Sequence, residues 1–120
     1  MFMSEETEQQ KPTTGQGGKI YPREAIGKRV QIVRESLGMS CSKFAQALGV
    51  SRQRVNGWEN EGKRPDDESL GKIKRLGSVT LDWLMEGDTG GMPYPVMLRL
   101  IASRDRLALT EPLIALTNIE

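Results

Sequence analysis

The chain has 120 residues, 28% of them charged and 37% hydrophobic, with seventeen basic and sixteen acidic side chains, one cysteine and no histidine. That length suits a single domain of modest core with tails. A lone thiol closes no intrachain disulfide, and the missing histidine removes both zinc-finger ligand sets and the commonest acid–base side chain, so no metal, no cofactor and no enzymatic activity are expected. Charge is unevenly placed: residues 19–86 hold thirteen basic and nine acidic side chains, a surplus of +4, whereas both ends are slightly acidic. No run approaches the ~18 apolar residues of a membrane span, and the acidic start does not suit a signal peptide, which leads us to expect a cytoplasmic protein with no membrane partner.

Residues 4–19 lack any large apolar side chain and cannot offset the entropy of ordering, so residues 1–19 are expected to form a flexible tail. Its Gly15-Gln16-Gly17-Gly18 cluster follows no strand and reads as linker rather than as a phosphate cradle. Pro22 fits the first turn of a helix in which Ile26, Val30, Val33 and Leu37 make one apolar stripe, ending at Gly38. Next come two short helices. Ser40 can cap the first, with Phe44, Ala45 and Leu48 on one face; Gly49 turns the chain, and Ser51 can cap the second, with Val55 and Trp58 pointing inward. After Pro65, Asp66 or Asp67 can cap a helix carrying Leu70, Ile73 and Leu76, and Thr80 a last short one with Leu81 and Leu84. Trp58 and Trp83 read as core.

The second short helix leaves Arg52, Gln53, Asn56, Gly57 and Asn60 on its outer face. Asn and Gln amides donate and accept together, which suits the N6/N7 edge of adenine, while Arg forks onto guanine O6/N7. No acidic residue interrupts positions 51–58, where a carboxylate would repel phosphates. By pattern alone the same face also fits an ordinary solvated surface.

Ala45, Gly49, Val55 and Trp58 stand at positions 5, 9, 15 and 18 of a twenty-residue unit that begins at Cys41, and in this the segment resembles the helix-turn-helix of the phage Cro and repressor (XRE-like) family. Ile26 to Val30 look like that family's first helix, Trp58-Glu59 with Gly62-Lys63-Arg64-Pro65 like its signature after the recognition helix, and Leu81 to Gly87 like its closing helix. The resemblance, over about residues 23–87, implies an all-α, five-helix bundle at 20–87 that acts as a DNA-binding transcription regulator, most often a repressor. It implies that Ser51, Arg52, Gln53, Asn56, Gly57 and Asn60 face the major groove of double-stranded DNA, that Lys63 and Arg64 meet phosphates, and that Arg34 pairs with Glu59. Two departures stand out. Cys41 replaces a Gln common in relatives, and one extra residue, Asn60 or Glu61, precedes Gly62. Glu59 is taken as the acidic residue closest to the reading face.

Residues 88–120 lie outside the resemblance and read as a glycine- and proline-rich hinge followed by two apolar stripes, Val96, Met97, Leu100 and Ile101, then Leu113, Ile114 and Leu116. These form a short helical extension that either completes the bundle's own core or, as we expect, pairs with a second copy to make a homodimer on a palindromic operator. On that expectation a chain ended at Gly91 folds as a monomer. The alternative function is an antitoxin or a protein-interaction module whose apolar extension binds a different protein.

Overall fold

In the computed structural model, which describes residues 22–109, the chain forms six helices: α1 Pro22–Ser36, α2 Cys41–Leu48, α3 Arg52–Asn60, α4 Asp67–Gly77, α5 Leu81–Glu86 and α6 Tyr94–Arg106. Four of these starts have a side-chain cap. Ser40, Ser51, Asp66 and Thr80 adopt extended backbone and accept, through the side chain, the N–H of Lys43, Arg54, Ser69 and Trp83 respectively, satisfying an amide of the first turn. Asp66 accepts from the Ser69 hydroxyl as well, and these bonds with Ser69 hold its carboxyl below the usual range. Gly49 closes α2 at φ 73° in left-handed backbone, where a Cβ would be strained, and so permits the short turn to α3.

The core is organised around α1, which packs against α3, α4, α5 and α6. Its Ile26, Val30, Ile32 and Val33 are all buried, so the helix is apolar on more than the single stripe read from the sequence. Phe44, Ala45 and Leu48 of α2 and Val55 and Trp58 of α3 join the same cluster, as do Leu70, Ile73, Trp83 and Leu84. Arg29 is also buried, and its Nη1 donates to the Leu84 carbonyl at 3.1 Å, tying the end of α5 to α1. Where α1 crosses α3 the backbones nearly touch: a Cβ built on Gly27 would stand 1.8 Å from the Trp58 carbonyl oxygen. Among the described residues no helix is long and apolar enough to cross a membrane.

The extension departs from expectation. Val96, Met97 and Leu100 are 8%, 3% and 0% exposed and lie in the chain's own core, so these three side chains are not a dimer seam. Their periodicity was the same either way, because an apolar stripe looks alike whether it covers its own bundle or another's. Polar contacts tie α6 to α1 and α4: Ser103 Oγ donates to the Ile32 carbonyl at 2.7 Å, Arg99 donates to Ser36 Oγ and the Gly77 carbonyl, and Arg106 forks onto Glu35 with both bonds at 2.8 Å. The Arg106 hydrogen bonds hold the Glu35 carboxyl below its ordinary range. The break expected at 87/88 therefore separates no two bodies, and a chain ended at Gly91 would lose part of the core. Ile101 is half-buried; Leu113, Ile114, Leu116 and the tail 1–19 lie outside the described residues.

Candidate nucleic-acid interface

The geometry of α3 follows from what it buries. Val55, Trp58 and Glu59 face inward and are almost fully shielded, which turns Arg52, Gln53, Asn56 and Asn60 to solvent. Ser51 sits at the head of the helix with its hydroxyl committed to the Arg54 N–H at 3.1 Å. Beside it, Cys41 at the start of α2 joins Ser51, Arg52, Gln53 and Asn56 in lining a shallow open recess. The structure thus gathers the amides of Gln53 and Asn56 and the guanidinium of Arg52 on one accessible surface.

Charge holds this helix at its far end. Arg34 forks onto Glu59, Nε to Oε2 at 2.7 Å and Nη2 to Oε1 at 3.0 Å, while its Nη1 donates to the Met39 carbonyl. The Glu59 hydrogen bond raises the Arg34 pKa, and with the Glu59 side chain only 2% exposed the pair is a desolvated strut between α1 and α3. Lys28, not singled out from sequence, adds to it by donating Nζ to the Glu59 carbonyl at 2.9 Å. Three features of α1, Gly27, Lys28 and Arg34, therefore meet the last turn of α3. Only Arg34 was legible beforehand, through the resemblance.

Two sequence assignments are corrected here. Gly57, expected on the outer face, is not exposed there: it is buried, a Cβ on it would lie 3.1 Å from Lys63 Cδ, and its carbonyl accepts from the Glu61 and Lys63 amides. The room above it belongs to the Lys63 stem. Nor is Glu59 the acid nearest the reading face. That residue is Glu61, exposed at the end of α3, with Oε1 3.4 Å from Lys63 Nζ and Oε2 accepting from Asn56 Nδ2 at 3.4 Å. Asn60 Nδ2 in turn donates to Asn56 Oδ1 at 2.7 Å. Lys63 and Arg64 both project into solvent, though Arg64 lies 3.8 Å from Asp67 and 3.7 Å from the Met85 sulfur. Arg54, which sequence reasoning passed over, is exposed on α3 and bonded to Asp66 at 2.8 Å.

Comparison with known proteins agrees with the helical fold. Residues 30–84 match the family profile described as helix-turn-helix. Over 64 residues the chain is 27% identical to the HTH-type transcriptional regulator ImmR of Bacillus subtilis (strain 168), covering 53% of this chain and 50% of that protein. It is 32% identical over 62 residues to the SPbeta prophage-derived uncharacterized HTH-type transcriptional regulator YonR of the same strain, covering 52% of this chain and 57% of the other. The chain thus spans about half the length of the relatives it matches. The solution structure of the DNA-binding domain of the P22 c2 repressor superposes with a TM-score of 0.50 at 22% identity, over 61% of this chain and 96% of that one, which establishes a shared all-helical fold. Residues 30–84 thus match a helix-turn-helix profile, and the chain shares the all-helical fold of that repressor's DNA-binding domain.

Proposed function

We propose that this chain is a sequence-specific, DNA-binding transcription regulator, a repressor that inserts α3 into the major groove of double-stranded DNA. The observation that carries the reading is the outer face of α3, where Arg52, Gln53 and Asn56 are exposed together on a helix whose opposite side is fixed in the core. Phosphate contacts from Lys63 and Arg64 position the domain, and the three side chains on α3 specify sequence. A surplus of +4 over residues 19–86 supplies modest non-specific attraction, so a second reading helix about one DNA turn, roughly 34 Å, away adds the missing affinity on a palindromic operator. The second copy docks on the outer side of α6, where Tyr94 and Leu98, 54% and 48% exposed, stand one turn apart.

Replacing Gln53 and Asn56 together by Ala tests the reading. Both side chains are exposed, so the melting temperature should hold while specific duplex binding falls by about a hundredfold or more. Unchanged duplex affinity in the folded double variant would overturn it.

A further inference from the structure

The polar network at the end of α3 does more than solvate it. Glu61 is placed by the way the helix stops: its N–H donates to the Gly57 carbonyl, its φ is −121°, and Gly62 follows at φ 71°. Its side chain is 51% exposed and stands at the rim of the reading face, between Asn56 and Lys63.

A primary amide carries two N–H donors and an oxygen with two lone pairs. The network takes one of each from Asn56, a lone pair for Asn60 Nδ2 and an N–H for Glu61 Oε2. One donor and one acceptor remain, which is what the N6/N7 edge of adenine requires. An asparagine amide free in water interchanges its oxygen and nitrogen by rotation about the last side-chain bond. An ionised carboxylate only accepts, so it binds the NH2 end and selects one of the two orientations. Asn60, whose own amide can present either end, follows that choice by donating to the oxygen.

We infer that Glu61 is a specificity-determining residue, whose carboxylate fixes the orientation of the Asn56 amide and whose negative charge weakens attraction to duplexes of any sequence. The inference rests on the proposal that α3 contacts DNA. Both effects act on the ratio of specific to non-specific binding, the first by sharpening base choice and the second by lowering the background.

The test uses the full chain, a duplex selected by the wild-type protein from a random pool, and that duplex's single-base variants, titrated at two salt concentrations. Glu61→Ala removes acceptor and charge together; Glu61→Gln keeps the side-chain size but has no charge and can turn a donor to Asn56 as readily as an acceptor. For Glu61→Ala, discrimination at one base pair should fall about tenfold. Both variants should bind unrelated duplex about two- to fivefold more tightly at low salt, with the gain shrinking at high salt. Glu61→Gln, whose amide can turn either end to Asn56, should lose most of that discrimination as well, and melting temperatures should not move. If Glu61→Ala keeps wild-type discrimination at every position, the inference is overturned, while the selected duplex still upholds the role of α3. A wild-type protein that selects no duplex overturns both.

Discussion

Helices α3 and α6 both pack on α1, and their inner sides are built alike, from apolar side chains reinforced by an Arg–Glu fork to α1: Arg34 with Glu59 beside α3, and Arg106 with Glu35 beside α6. They differ in burial and in what they turn outward. The fork at α3 is desolvated, whereas the Arg106 side chain at α6 is 55% exposed. The outer side of α3 offers amides and a guanidinium, and that of α6 offers Tyr94 and Leu98. The difference teaches that α1 is a common scaffold carrying two helices, one fixed by a desolvated ion pair and turning polar side chains outward, the other held by an exposed one and turning apolar side chains outward. A side chain that must select among bases needs its backbone fixed to a fraction of an ångström.

Four variants break or sharpen that contrast. The largest effect is expected for Arg34→Ala, which leaves Glu59 buried without its counter-charge and should cost about 3–5 kcal/mol in denaturant unfolding. Unchanged stability would mean that the strut at α3 is no stronger than an exposed pair. Somewhat smaller is Leu100→Ala, expected to lower stability by about 2–5 kcal/mol, because Leu100 is fully buried and its removal opens a cavity. Ending the chain at Gly91 should likewise destabilise it; a well-folded monomer from that truncation would return α6 to the role of a separable extension. Smallest for the fold itself is Tyr94→Lys combined with Leu98→Lys, which should shift stability by no more than about 0.5 kcal/mol per site while converting dimer to monomer in analytical ultracentrifugation. A double variant that stays dimeric would place the second copy elsewhere.

Much of the domain was legible in the sequence because its signals are local. The caps at Ser40, Ser51 and Thr80 and the turn at Gly49 depend on residues within one turn of each other, and all four stand where expected. The outer face of α3 was legible for the same reason, since Val55 and Trp58 fix which side is buried. What escaped depends on distance in sequence. Lys28 meets the Glu59 carbonyl across 31 residues, and Arg29 meets Leu84 across 55, contacts that no periodicity announces. Gly57 escaped differently: its position on the helix was right, but the side chain that covers it comes from Lys63, beyond the helix end. The inner face of α6 was misassigned because burial leaves the same stripe whichever chain does the burying.

The central claim is that the surface carrying Arg52, Gln53 and Asn56 reads DNA sequence. It is tested most directly by incubating the wild-type chain with a pool of random duplexes at two salt concentrations and sequencing what is retained. The account predicts enrichment of an inverted repeat whose half-sites lie about ten base pairs apart, surviving at the higher salt. Retention that is absent, or blind to sequence even at low salt, would contradict it.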